Sequence, residues 1–337
     1  MSGTEGPRDD LDTICIGNAI VDVLAQCNDN TIDRLGMTKG SMTLIEADEA
    51  QDLYEQMGPA VEASGGSAAN TAAGIASLGG QAAFVGKVRT DQFGGVFTHD
   101  IRAVGVEFDT TPATDGPPTA RSLIFITPDA QRTMNTYLGA CVNLGPRDIE
   151  PELIARGRVT YMEGYLWDRP EAKAAFLKAA ELAHREKRDV ALTLSDPFCV
   201  ERHRSSFREL IAGHIDVLFA NEKELVSLYQ VRDFDEALQH ARHDCRIAVL
   251  TRSEKGSVVA GGDEVHVVDA ERVDEVRDTT GAGDQYAAGF LFGLTRGHDL
   301  AICARLGSIA AAEVISHVGP RPQTSLAALA ASKLRAG

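Results

Sequence analysis

From Val159 onward, short runs of consecutive apolar and β-branched positions alternate with longer Ala- and Leu-rich stretches of helical period. The runs Val159–Glu163, Val190–Leu194, Asp216–Ala220 and Ile247–Thr251 begin 31, 26 and 31 residues apart. That spacing holds a strand, a crossover helix and two loops, and strands apolar at successive positions suit a parallel sheet covered on both faces. The pattern therefore predicts an α/β fold with helices on both faces of a parallel-rich sheet. Between the first two runs, Asp168 is placed to cap a helix whose first turn holds Pro170 and Glu171. Phe176, Ala179, Ala180 and Ala183 share the apolar face of that helix.

Two segments break this rhythm: residues 23 to 45, and residues 112 to 137, in which Ala120–Ile126 alternates like a strand. They read as a small lid added to a large domain of residues 12–22, 46–111 and 138–337, the plainer alternative being strands that only lengthen the sheet. Each strand run leads straight into polar residues. Ile14–Gly17 leads to Asn18 and Asp22, Val159–Glu163 to Gly164 and Tyr165, Asp216–Ala220 to Asn221 and Glu224, and Ile247–Leu250 to Thr251 and Gly256. Open α/β sheets bind ligands beyond the carboxyl ends of their strands, so these residues are expected along one edge.

Composition narrows the classes. Of 337 residues, 44% are hydrophobic and 24% charged, with no apolar run of about 20 that could span a bilayer. A net charge of −16 repels polyanions and argues against nucleic acid as a partner. The six cysteines, Cys15, Cys27, Cys141, Cys199, Cys245 and Cys303, form no C-x-x-C pattern. Met1 to Asp10 is polar and lacks the basic and apolar regions of a signal peptide, which points to a fraying end and a cytoplasmic location.

The most informative stretch is Asp278-Thr279-Thr280-Gly281-Ala282-Gly283-Asp284. Small residues admit a phosphate to the backbone, and a helix starting near Ala282 would aim unpaired N–H groups and a positive dipole end at it. Gly281, Ala282 and Gly283 are thus candidates for an anion hole. Asp284, in the first turn, is a candidate base for a hydroxyl attacking phosphorus, although an Asp there also serves merely to offset the dipole. Tyr286 stands where a dinucleotide fingerprint needs its third glycine, and Gly86-Lys87-Val88 lacks the flanking residues of a P-loop. Upstream, Gly65-Gly66-Ser67-Ala68-Ala69-Asn70 opens an Ala-rich helix that runs to Gly79-Gly80, with Asn70 offering a donor and an acceptor to sugar hydroxyls.

Together and in this order, the stretches Gly65 to Gly80 and Asp278 to Asp284 resemble the two signatures of the ribokinase-like (PfkB-type) carbohydrate and nucleoside kinases, over Asp12 to Gln323. The resemblance implies a ribokinase-like sheet with a small β lid, and roles for individual residues. Asp22 would grip sugar hydroxyls with Asn18 nearby, joined by Gly65, Gly66 and Asn70. Asn221-Glu222-Lys223-Glu224 matches the family's N-x-x-E element, so Glu224 would help organise Mg2+. Asn221, Thr251, Gly256, Thr279, Gly281 and Gly283 would lie on the ATP side, with Ala311 to Gly319 beside the adenine. A monovalent cation such as K+ near Asp269 to Asp284 stays open.

Within the family, Asn28 to Leu53 and Leu194-Ser195-Asp196-Pro197-Phe198 resemble the adenosine kinase branch. There Arg132 matches a lid position that meets the transferring phosphoryl group, and Tyr165 a place where an aromatic stacks on a purine or is simply buried. Thr133-Met134-Asn135-Thr136-Tyr137 is more polar than such a nucleoside wall, and Asp196 adds a charge. The implied activity is ATP-dependent phosphorylation of a nucleoside 5′-hydroxyl, that of adenosine, by a monomer or homodimer. A ribose or fructose kinase is the alternative acceptor reading, and a non-catalytic nucleoside- or sugar-binding regulator the alternative of another class.

Overall fold

The strand runs of the C-terminal half appear within a residue or two of their expected places in a computed structural model that describes residues 11–129 and 131–335. Met1 to Asp10, expected to fray, lies outside the described residues. The strands are β1 (Leu11–Ile16), β2 (Ile20–Gln26), β3 (Met42–Leu44), β4 (Ala60–Gly65), β5 (Ala82–Val85), β6 (Ala120–Ile126), β7 (Arg132–Tyr137), β8 (Gly157–Glu163), β9 (Asp189–Thr193), β10 (Val217–Asn221), β11 (Ile247–Thr251), β12 (Ser257–Gly261) and β13 (Glu264–Val268). Eight of them form one sheet in the order β13-β12-β11-β10-β9-β8-β1-β5. It is parallel from β5 to β11, and β12 and β13 extend it as an antiparallel edge.

Alternate positions of these strands feed two cores. Ile14, Met162, Leu192, Leu218 and Leu250 pack with the helices Pro170–Arg185, Pro197–His214 and Glu222–Tyr229. Cys15, Tyr161, Ala191, Phe219 and Val249 face the helices Ser67–Ser77 and Ala282–Thr295 on the other side. Burying each large apolar side chain contributes roughly 1.5–3 kcal/mol, which is why both faces need a helical cover. Among the described residues no helix is long and apolar enough to cross a membrane, and the six cysteines are all unpaired.

The segments that break the rhythm do build a separate sheet, in the order β3-β7-β6-β2-β4. Its extent differs from the expected 23–45 and 112–137, because β2 starts at Ile20 and Ala60–Gly65 pairs antiparallel with it. Asp22 therefore sits inside a strand of the small sheet rather than in the loop after β1. The sequence Ala60-Val61-Glu62-Ala63 is too weakly apolar to announce itself as a strand, and Val61 is exposed. In β6, Leu123 and Phe125 enter the core while Ser122 and Ile124 face a cavity beneath the small sheet.

One local expectation fails. Asp168 does not cap the helix Pro170–Arg185; Arg169 is the N-cap and contributes no side-chain bond. Proline at the first helical position places the cap at residue 169, one residue too late for Asp168, whose carboxylate pairs instead with His203 at 2.5 Å and Arg202 at 3.4 Å.

Helix Ala282–Thr295 lies between Ser67–Ser77 and Leu300–Ile315, and glycines set the separations. A Cβ on Gly289 would overlap the backbone of Leu306 and Gly307, and one on Gly74 would overlap Gln285 and Ala288. Gly289→Ala is expected to lower stability by about 1–3 kcal/mol through overpacking. Gly95→Ala, at an exposed helical position with nothing within 4 Å, should instead raise it by up to about 1 kcal/mol. Urea denaturation of the two variants checks this, and equal effects would contradict the packing argument.

Candidate active site

The two glycine-rich stretches, far apart in the chain, meet at the N-termini of their helices. Gly66, N-cap of Ser67–Ser77, has φ 97°, and a side chain there would overlap the Asn18 carbonyl. Gly281, N-cap of Ala282–Thr295, has φ 79°, and a Cβ would stand 2.7 Å from Cα of Pro320. Both positions need glycine for the left-handed backbone as well as for the close approach. Between them lies Asp284. Its Oδ1 accepts from Ser67 Oγ at 2.6 Å and its Oδ2 from Asn70 Nδ2 at 2.9 Å. Burial pushes the Asp284 carboxyl above the usual carboxylate range, while these two donors and the Arg321 charge pull it back.

A cavity of about 400 Å³ opens from this point. On the side of the small sheet Asp22 lies against Gly65, where any side chain would overlap the carboxylate. Burial pushes Asp22 up to about 6; Arg321 and Arg132 oppose that and Asp284 adds to it. Asn18 does not line the cavity. Its Nδ2 donates at 2.7 Å to Glu163, whose other oxygen accepts from the Ala68 backbone N–H at 2.9 Å. Glu163, 1% exposed, thus ties the exits of β1 and β8 to the start of helix Ser67–Ser77, and burial pushes its carboxyl up to about 7.

In the glycine-rich loop before helix Ala282–Thr295, Asp278 accepts from the backbone N–H groups of Thr280 at 3.0 Å and Gly319 at 2.9 Å. The N–H of Ala282 is engaged by the Thr279 carbonyl at 3.2 Å. Arg132, at the start of β7, reaches across from the small sheet to within 3.1 Å of Asp278. It is 8% exposed, and among the described residues none of its three guanidinium nitrogens has a hydrogen bond. A buried, under-satisfied cation beside a glycine-rich helix start is a site suited to an anion.

At the far end, Asn221 and Glu224 form a reciprocal cap on helix Glu222–Tyr229. The Asn221 Oδ1 accepts from Glu224 N–H at 2.9 Å, and the Glu224 carboxylate accepts from the Asn221 backbone N–H at 2.9 Å and its Nδ2 at 2.5 Å. Glu224 is 4% exposed, yet borders the cavity. Among the described residues no group of three or more His, Cys, Asp or Glu converges as a metal cage. A single hard carboxylate bordering the cavity fits a cation that keeps most of its water, as Mg2+ does.

The match to known proteins decides the family. Residues 32–326 match the model of the pfkB family carbohydrate kinases. The chain belongs to this family. The eight-stranded, helix-covered sheet is its ribokinase-like fold, and membership makes the protein a kinase and implies that it uses ATP. Solved structures agree over almost the full chain. A probable sugar kinase from Rhizobium etli CFN 42 is 53% identical with TM-score 0.89, covering 97% of this chain and 99% of the other. An adenosine kinase from Sinorhizobium meliloti is 56% identical with TM-score 0.88, covering 97% and 100%. A curated relative, the 5-dehydro-2-deoxygluconokinase of Bacillus thuringiensis (strain Al Hakam), is 28% identical over 81% of this chain and 86% of its own.

In this PfkB kinase the cavity is bordered by Asp22, Gly66, Asn70, Tyr165, Asn221, Glu224, Thr251, Thr279, Gly281, Ala282, Gly283 and Asp284. Four residues named from the sequence stand behind it. Asn18 supports Glu163, Gly65 makes room for Asp22, Arg132 faces Asp278, and Gly256, with φ 80°, closes against Val268–Ala270. Tyr165 is held by Ser195, which accepts from its backbone N–H at 3.1 Å through Oγ and from its hydroxyl at 3.4 Å through the carbonyl. Sequence reasoning missed Glu163, Ser122 and Arg321, while Thr136, read as part of a polar wall, borders the cavity beside Ser122. For Arg321 a signal existed: a lone charge between Pro320 and Pro322, just past a glycine.

Glu163 makes one testable link between pH and stability. Its folded carboxyl holds the proton up to about 7 against an ordinary 4.5, so its contribution is full at low pH and is lost as pH rises through that window. Glu163→Gln, permanently neutral, should gain stability relative to the wild type between pH 5 and pH 8. Parallel pH dependence of the two urea midpoints would show that Glu163 carries no raised pKa.

Proposed function

We propose that the protein transfers the γ-phosphoryl group of ATP to the 5′-hydroxyl of a ribosyl nucleoside, with adenosine as acceptor. The observation that carries the phosphoryl chemistry is Asp284, held by Ser67 and Asn70 where the helix start at Gly281 meets the acceptor cavity. In this reading Asp284 takes the hydroxyl proton as the oxygen attacks phosphorus, and the bond from phosphorus to the leaving ADP oxygen breaks. Asp22 and Gly66 hold the sugar. Backbone groups at Gly281 and Gly283 and the Arg132 guanidinium meet the charge on the phosphoryl oxygens, and Tyr165 contributes a wall of the base pocket. Glu224 would hold Mg2+ through water, the cation supplying charge neutralisation between phosphates. The small sheet acts as a lid that excludes water.

The choice of adenosine is supported by the 56% identity to the adenosine kinase from Sinorhizobium meliloti. A second reading, a kinase for a sugar or sugar acid, draws on the 5-dehydro-2-deoxygluconokinase relative and on the polar lid floor, where the hydroxyls of Ser122 and Thr136 lie 2.9 Å apart beside the cavity. ATP consumption measured with adenosine, inosine, ribose, fructose and 5-dehydro-2-deoxygluconate separates the two. Adenosine is expected to exceed either free sugar by about tenfold or more in kcat/KM, and a preference for any of the sugars would reassign the acceptor.

Asp284→Asn should fold and lose turnover by about 10²–10⁴-fold; near wild-type kcat would remove it from the reaction. Asp22→Ala should raise the KM for the acceptor far more than that for ATP, and equal changes would refute its place on the sugar side.

A further inference from the structure

Arg321 lies in the loop Gly319-Pro320-Arg321-Pro322, the last segment before the C-terminal helix Leu326–Arg335. Its Nε donates to Asn70 Oδ1 at 2.8 Å, and its Nη2 donates to the Ser64 carbonyl at 2.9 Å and Ser64 Oγ at 3.1 Å. Ser64 is itself fixed, its backbone N–H and hydroxyl both donating to Asp100 Oδ2, at 2.7 and 2.5 Å. Gln285 Nε2 donates to the carbonyls of Asn70 at 3.0 Å and Pro320 at 3.1 Å, which pins the loop to the two helices. Prolines on both sides limit the loop's backbone freedom further.

We infer that Arg321 is a positioning residue for the proton-accepting carboxylate, setting the orientation of the Asn70 amide and so the donor that faces Asp284. A guanidinium only donates, so the amide end toward Arg321 must be the oxygen; a carboxylate only accepts, so the end toward Asp284 must be the NH2. Without Arg321 only Asp284 distinguishes the two ends of the amide and the buried Asn70 oxygen loses its donor, so the NH2 that faces the carboxylate is held less firmly. The inference rests on Asp284 being the base.

Charge acts in the same direction. Asp284 is faced by Asp22 from β2, Glu163 and Tyr161 from β8, Tyr165 from the turn after it, and Arg321 from the C-terminal loop. Arg321 is faced in turn by Asp22, Asp100 and Asp284. It is the cation of this group that bears on both Asp22 and Asp284, while Arg132 bears on Asp22. Removing the Arg321 charge therefore leaves the carboxylates to raise one another, and Asp284 would hold its proton to higher pH.

The test compares Arg321→Met and Arg321→Lys with the wild type, using whichever acceptor the wild type turns over best. In Arg321→Met the acid limb of the kcat/KM profile should move up by roughly one pH unit. Turnover at pH 7 should fall about tenfold or more, with the KM for ATP within about twofold. Arg321→Lys restores the charge but not the two-sided fork, so its acid limb should return toward the wild type while kcat stays low. An unmoved acid limb in Arg321→Met, or wild-type kcat in Arg321→Lys, would overturn the inference.

A second measurement needs no acceptor and keeps this test separate from the choice of substrate. In protein labelled with 13C at the Asp carboxyl carbons, the Asp284 resonance is the one lost in Asp284→Asn. Its titration midpoint should rise by roughly one unit in Arg321→Met. An unchanged midpoint overturns the inference even if every tested acceptor fails, whereas a raised midpoint with no acceptor turned over faults only the proposed reaction.

Discussion

The site depends on one packing constraint, the close lateral contact between helices Ser67–Ser77 and Ala282–Thr295. Gly74 lets Gln285 and Ala288 approach, and Gly289 lets the second helix settle against Leu306 on its other side. This contact sets the two helix N-termini next to each other, so that the Ser67 hydroxyl and the Asn70 amide reach the Asp284 carboxylate with ordinary hydrogen-bond lengths. Gln285 reinforces it by bonding the Asn70 carbonyl across 215 positions of sequence. A helix spacing wider by the diameter of one methyl group would leave a buried carboxylate without its donors, a loss that costs more than the bonds contribute when made.

A second theme is the crowding of acidic groups in a chain that already carries a net charge of −16. Asp22, Glu163, Asp284 and Glu224 all border or support one cavity, and burial raises the carboxyl pKa of each. Such a site is held together by hydrogen-bond donors and a few well-placed cations rather than by apolar contact. Helix starts contribute partial positive charge at Gly66 and Gly281, and the two arginines come from opposite directions, Arg132 from the small sheet and Arg321 from the C-terminal loop. Site preorganisation and the relation of the small sheet to the large one are thus parts of the same electrostatic arrangement.

Local signals carried the frame of the molecule. Apolar runs of strand length at crossover spacing have few physical solutions, so the parallel sheet and its two helical layers were legible, as was a helix starting at Ala282 where small residues precede a long apolar stretch. The boundaries of the small sheet were less so. Strand β4 is polar at Glu62 and half exposed, and only its pairing with β2 makes it a strand. The cap expected at Asp168 failed because Pro170 set the helix start one residue later and histidine and arginine from a following helix took the carboxylate.

The sequence by itself determined which residue types could do chemistry here: small residues that admit a close approach at a helix start, an aspartate in a first helical turn, and an N-x-x-E element matched by family resemblance, each legible within a few residues of itself. Tertiary structure alone decided how those groups are committed. Asn70 turns its donor to Asp284 and its oxygen to Arg321, Asn18 supports Glu163 behind the cavity, and Arg132 faces Asp278. The physical reason is range. Backbone conformation and capping are settled by neighbours in sequence, whereas the orientation of an amide and the charge state of a buried carboxylate follow from donors and charges that only the folded chain brings within a few ångströms.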